Sequence, residues 1–365
     1  MRLMISGGGT GGHVYPALAV VNALDPATEV VWVGSEGGIE KELVERAGIP
    51  FVGIAAGGLR GKNPAAAAAN LWKLGRGYLQ SRRHIARRRP DVLFVTGGYV
   101  CVPVTLAAHR AGVPVLIYLP DIQPGKAIQF LSRFAERVAV TAPPAQAHFP
   151  PGLTVVTGYP ARAELYAADP AAARARLRLS DDAPVVLVYG GSQGARSINR
   201  ALARPDALQQ LLARAQVLHL SGARDIAWVE GVRRDLPESL RRRYHLHAYL
   251  HEEMVDAFAA ADLVICRAGA STLGELPAAA APAILVPYPY SGAHQWPNAQ
   301  FLAEQGAAVI LPDAELAERL LPVTLELLDD AERRSAMAAA ARKLARPDAA
   351  HAIATLIEEL RYGHH

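Results

Sequence analysis

The sequence predicts an α/β chain made of two doubly wound parallel-sheet domains. Short apolar runs alternate with helical patterns along its whole length. It opens with a strand, a glycine-rich loop and a helix, and near its middle it repeats that order. Its 365 residues are enough for two domains of ordinary size.

In the first half, strands are expected at 2–6, 29–33, 51–54, 92–96, 115–118, 138–140 and 154–157. Helical patterns fall around 39–47, 65–88 and 103–111. Gly158-Tyr159-Pro160 then punctuates the chain. Strands resume at 185–188, 217–220, 263–266, 283–286 and 308–310, and a closing helix covers roughly 351–362. This places the domains at residues 1–160 and 161–350, with helix 351–362 able to return to the first. Open α/β sheets bind ligands beyond the C-terminal ends of their strands, so two such domains facing each other would line a cleft.

The chain is 51% hydrophobic and 20% charged, which fits a globular protein rather than a disordered one. Cys101 and Cys266 sit in apolar runs in different halves, so buried free thiols are expected rather than a disulfide. The apolar run after Met1-Arg2 is too short for a signal peptide, and no uninterrupted stretch of about 18 apolar residues suggests a spanning helix. No Cys/His spacing suggests zinc. Charge is uneven: residues 1–163 carry 17 basic and 9 acidic residues, the remainder 21 and 25. The first half is therefore expected to meet an anionic surface.

Four segments carry chemistry. Gly7-Gly8-Gly9-Thr10-Gly11-Gly12-His13 follows the apolar run Leu3-Met4-Ile5. Its glycines allow positive φ and close approach to a ligand. Val14 and the residues after it begin a helix, with Pro16 expected near the first turn, where no N–H is needed. A helix start behind such a loop suits anions, and His13 is the side chain there able to accept a proton near neutral pH. The spacing is neither a dinucleotide fingerprint nor a Walker loop. A tight turn with a solvent-facing His fits equally well.

Gly190-Gly191-Ser192-Gln193-Gly194-Ala195-Arg196 is the second, able to hold a diphosphate on backbone N–H groups and the Ser192 hydroxyl. The third runs from Cys266 to Glu275: Ser271 and Thr272 offer hydroxyls near a helix start. One turn on, Glu275 can accept both hydroxyls of a ribose. An N-cap with an acidic first turn explains Glu275 alone. The fourth, Pro287–Asn298, places His294, Gln295 and Asn298 as groups that read sugar hydroxyls, or as a loop and helix cap.

With Thr96-Gly97-Gly98-Tyr99, these segments resemble the MurG family of N-acetylglucosaminyltransferases in order and spacing over nearly the whole chain. The resemblance implies the GT-B fold and a C-terminal domain that holds the uridine nucleotide. Ala270, Ser271 and Thr272 would meet base and phosphate, Glu275 the ribose, Ser192 the diphosphate, and His294, Gln295 and Asn298 the donor sugar. It also implies donor contacts from Thr10, Gly11, Gly12, Gln193 and Leu250. Arg162, in Gly158-Tyr159-Pro160-Ala161-Arg162, matches an arginine of the family pattern. The acceptor, a lipid-pyrophosphate-linked muramoyl peptide, would fall to the N-terminal domain, with Gly97, Gly98 and Tyr99 on its side. The implied chemistry is inverting transfer from UDP-N-acetylglucosamine in peptidoglycan synthesis, with no cofactor. No Asp-x-Asp pair is present to hold a metal.

Where the family commonly carries His-Glu-Gln-Asn, this chain has Tyr118-Leu119-Pro120-Asp121, a run expected to face the acceptor or the reacting sugar. Two groups thus stand as candidate base. His13 matches the family's histidine, and an imidazole ordinarily titrates at about 6.5 against about 3.9 for an aspartate. Asp121 competes if its apolar neighbours desolvate it.

Segment 70–89 interleaves Leu71, Trp72, Leu74 and Tyr78 with Lys73, Arg76, Arg82, Arg83 and Arg87. That mixture fits a helix lying on anionic lipid, with Trp72, Arg76, Arg82 and Arg83 as contacts, at the cytoplasmic face of the cell membrane. An ordinary amphipathic helix packed on the sheet fits too. Nucleic acid is not expected, since the basic run lacks a recognition motif. The rival activities are a transferase acting on another lipid such as diacylglycerol, a UDP-sugar 2-epimerase, and a non-catalytic sugar-nucleotide sensor.

Overall fold

A computed structural model describes residues 1–9, 11–57, 64–180, 182–191, 193–290 and 294–363. Thr10 and Ser192, both expected at the donor, lie outside the described residues. The chain forms two compact units, Met1–Ala161 with Asp348–His365, and Arg162–Pro347.

In the first unit the strands are β1 (Arg2–Gly7), β2 (Glu29–Ser35), β3 (Phe51–Ile54), β4 (Val92–Gly97), β5 (Val115–Leu119), β6 (Arg137–Val140) and β7 (Thr154–Val156). They form one parallel sheet in the order β3-β2-β1-β4-β5-β6-β7. The order reverses between β1 and β4, the switch point at which a doubly wound sheet opens a crevice. The strands read as continuous apolar runs because both faces are covered. Met4, Leu93, Val95 and Ile117 meet Ile85 and Val104 on one face. Leu3, Ile5, Trp32, Phe94 and Tyr118 meet Val14, Val20, Ile353 and Ile357 on the other. The closing helix Ala349–Tyr362 thus belongs to the first unit's core.

The second unit holds β8 (Val185–Tyr189), β9 (Gln216–Leu220), β10 (Tyr244–His247), β11 (Leu263–Cys266), β12 (Ala283–Leu285) and β13 (Ala308–Ile310). Their order is β10-β9-β8-β11-β12-β13, again all parallel, with the reversal between β8 and β11. Both cysteines are buried and free.

Two local expectations are corrected. The first helix begins at Gly11, not Val14, so Pro16 lies inside it and interrupts a backbone bond beyond the first turn. Strand β10 is absent from the sequence reading because Tyr-His-Leu-His lacks an apolar run. As an edge strand it buries Tyr244 and leaves His247 exposed.

Candidate active site

At the switch of the first sheet, β1 ends in a register shift that pairs Gly7 with Gly97. A Cβ on Gly7 would stand 2.0 Å from the Thr96 hydroxyl, so glycine alone lets these strand ends lie side by side. The Gly8 amide donates to the Gly97 carbonyl at 3.0 Å. His13, third residue of the Gly11–Ala23 helix, packs on Gly97, where a Cβ would meet its Nε2 at 2.9 Å. The Nδ1–H of His13 donates to the Gly8 carbonyl at 2.8 Å. A carbonyl only accepts, so the neutral ring keeps its lone pair on Nε2, as a general base requires.

Gly11 and Gly12 open the helix half-buried, and Tyr99 is exposed beyond β4. Asp121 is half-buried just past β5, the strand next to β4. The rest of its run does not face a ligand as expected. Because β5 continues through Leu119 and pairs with β6, Tyr118 and Leu119 are core residues. The Tyr118 hydroxyl shares a hydrogen bond with Thr141 Oγ1 at 2.9 Å. Pro120 is buried as well.

Glu40 escaped the sequence reading. Its carboxylate is wholly buried beneath the first glycine loop. It accepts from the Gly9 amide at 3.2 Å and the Ser35 amide at 2.8 Å. A Cβ on Gly8 or Gly38 would fall 2.5 or 2.3 Å from its Oε1, so both glycines make room for it. Nothing in its helix sets it apart by type from the exposed Glu42 and Glu45; only the flanking glycines hinted at a close neighbour.

In the second unit, Gly194 takes φ 75° and lies against the turn that ends β9; a Cβ there would stand 2.3 Å from the Ser221 carbonyl. Beneath that turn runs a buried chain of polar groups. The Tyr244 hydroxyl donates to His219 Nδ1 at 2.6 Å, and His219 Nε2–H donates to Asn199 Oδ1 at 3.0 Å. Asn199 Nδ2 in turn serves the Ser221 carbonyl at 2.8 Å and Asp225 at 2.9 Å. Burial pushes the His219 pKa down to about 3, so the ring is neutral. Gln193 is exposed at the loop's tip, and Leu250 is buried after β10.

Beyond β11, Ser271 precedes the helix Thr272–Ala278, and Thr272 Oγ1 donates to the Gly269 carbonyl at 2.6 Å. Ala270 and Ser271 are half-buried and Thr272 is buried. Burial raises the Glu275 pKa, opposed by the nearby Arg162 cation and a hydrogen bond from Ser271. Arg162 also donates to the His251 carbonyl at 3.2 Å. Arg267 is held by Asp313 at 2.5 Å and stacks over Tyr288, tying β11 to β12. Asn298 is fully buried and donates to the Ala268 carbonyl at 3.1 Å, while Gln295 accepts from the Tyr288 amide at 2.9 Å. His294 Nδ1 is buried without a hydrogen-bond partner among the described residues. The segments that follow β8, β11 and β12 are thereby brought to one edge of the second sheet.

Residues 3–140 match the glycosyltransferase family 28 N-terminal domain, and residues 185–353 its C-terminal domain. A protein of Roseiflexus sp. (strain RS-1) is 43% identical over 99% of this chain and 95% of its own length. It is named UDP-N-acetylglucosamine–N-acetylmuramyl-(pentapeptide) pyrophosphoryl-undecaprenol N-acetylglucosamine transferase. The equally named protein of Desulforudis audaxviator (strain MP104C) is 40% identical over 99% of this chain and 98% of its own. The chain belongs to the MurG family. The crystal structure of Acinetobacter baumannii MurG superposes with a TM-score of 0.79 at 31% identity, covering 98% of this chain and 99% of that one. The fold is accordingly GT-B. In this MurG-family chain, His13 stands at the switch of the first sheet and Glu275 beyond β11 of the second.

Proposed function

We propose that this chain transfers N-acetylglucosamine, with inversion, from UDP-N-acetylglucosamine to a lipid-pyrophosphate-linked N-acetylmuramyl pentapeptide. The observation that carries the reading is the full-length similarity to transferases of that name. The first unit takes the acceptor and the second the donor. His13 Nε2 removes the proton of the acceptor hydroxyl, whose oxygen then bonds to the anomeric carbon. The bond from that carbon to the diphosphate breaks, and its electron pair leaves with UDP. Backbone amides of the 190–194 loop and the Arg162 guanidinium receive the developing charge, and Glu275 holds the ribose. With no Asp-x-Asp pair in the sequence, this charge stabilisation is assigned to protein groups rather than to a metal, and no cofactor is needed.

The enzyme works at an anionic membrane surface. Support comes from the helix Pro64–Arg88, on which Leu71, Trp72 and Leu79 are exposed beside Arg76, Arg82 and Arg83. Its other side buries Ser81 and Ile85, and Tyr78 packs against the core, so Trp72 and Tyr78 part company. No helix among the described residues is long and apolar enough to cross a membrane.

The deciding experiment incubates the purified chain with labelled UDP-N-acetylglucosamine and, in separate arms, the lipid-linked muramyl peptide, diacylglycerol or no acceptor, each with and without EDTA. Label in the muramyl lipid, unaffected by EDTA, is expected. Label in diacylglycerol alone, or epimerised nucleotide without acceptor, overturns the reading, and loss on EDTA restored by Mg²⁺ overturns metal independence.

A further inference from the structure

One peptide group links the buried carboxylate of Glu40 to the imidazole of His13. The Gly8 carbonyl accepts from His13 Nδ1–H at 2.8 Å, and the Gly9 amide, the other end of the same peptide bond, donates to Glu40 Oε2 at 3.2 Å. A peptide is a planar, delocalised dipole. A negative charge at its N–H draws electron density toward its carbonyl oxygen, and hydrogen bonds in series polarise one another. The carboxylate is fully buried, no basic side chain lies within 4.0 Å of it among the described residues, and its other oxygen takes the Ser35 amide. Both carboxylate oxygens thus accept from backbone amides under the loop that carries the base.

Building on the transferase reading, we propose that Glu40 is a positioning residue that acts on His13 through the Gly8–Gly9 peptide. The arrangement does by relay what the carboxylate of a Ser-His-Asp triad does directly. It fixes the Nδ1–H tautomer, points Nε2 away from Gly8, and stabilises the imidazolium formed when the acceptor's proton arrives. The proton goes to Nε2 and none reaches Glu40. Other titratable groups around the loop are Tyr15 on the same helix, Cys101 on the neighbouring one, and Asp121 beyond β5. Burial pushes the Cys101 thiol up to about 12, so it is neutral. These groups are common to all the variants below.

The test compares E40Q with the parent, alone and in an H13A background, in turnover at saturating substrates across pH. E40Q is expected to lower turnover roughly tenfold, part of the 10²–10⁴ that a general base contributes. The acidic limb of its profile should move to lower pH, while UDP affinity stays within about twofold, since Glu40 lies in the first unit. In H13A the same change should cost nothing more. An equal loss in both backgrounds, or an acidic limb that does not move, overturns the proposal. Nitrogen NMR of the parent, assigned with H13A, supplies a reading that needs neither acceptor nor a Glu40 variant. The resonance lost in H13A should report Nδ1–H, and an Nε2–H tautomer overturns the proposal. A parent that labels no muramyl lipid would refute the transferase reading but leave the tautomer measurement standing.

Discussion

Arg162 Nη2 lies 3.8 Å from Glu275 Oε1, so the carboxylate assigned to the ribose has a cation beside it. Glu275 is largely buried, and Arg162 is about one-third exposed. The pair compensates a desolvated charge.

Removing that carboxylate should weaken nucleotide binding. Loss of a charged hydrogen-bond acceptor costs about 1.5–3 kcal/mol. Glu275→Ala is therefore expected to reduce UDP affinity at least tenfold by calorimetry. Unchanged affinity in a folded variant would take the ribose away from Glu275.

Acid should destabilise the second unit through His219. Its folded-state pKa of about 3 lies below the ordinary imidazole value of about 6.5. Between those limits the unfolded chain binds the proton and the native chain does not. Stability is thus full above about pH 6.5 and falls as pH drops toward 3. Denaturant unfolding followed from pH 7 to 4 should steepen in the parent and flatten in His219→Gln. Equal slopes would remove His219 as the cause.

His13 and Asp121 are separated by exchange of their roles. His13→Ala should lower turnover by about 10²–10⁴ while UDP affinity holds, because the nucleotide is assigned to the other unit. Asp121→Asn should stay measurably active, since the amide restores the family's residue. A dead Asp121→Asn beside a near-parental His13→Ala would make Asp121 the base.

Replacing Trp72, Arg76, Arg82 and Arg83 together should weaken binding to phosphatidylglycerol vesicles more than turnover of a detergent-dissolved acceptor. Each basic residue near such a surface contributes about 1 kcal/mol. Parental vesicle binding by the fourfold variant would return this helix face to plain solvent.

Both parallel sheets were legible because strands buried on two faces read as unbroken apolar runs, as in Val92–Gly97 and Val185–Tyr189. The edge strand β10 was hidden because one-sided burial tolerates histidines. Glycine loops announced where strand ends and turns approach closely, as at Gly7 and Gly194, where a Cβ would clash. What they pack against could not be read: Glu40, His219 and Asn199 are common residue types whose burial depends on partners 20 to 31 residues away. The run from Tyr118 misled because motif position suggested a ligand face, whereas pairing with β6 carries the strand past it.

The return of Ala349–Tyr362 to the first unit makes the second an insertion within the first. During synthesis the amino-terminal 161 residues emerge without Ile353 and Ile357, which cover Val14 and Val20. That half must wait, incompletely closed, while the inserted unit folds as a contiguous stretch. A fragment cut after Ala161 is consequently an unfinished body with an open apolar flank. A dissection meant to yield two independent pieces would need the carboxyl-terminal helix spliced back onto it.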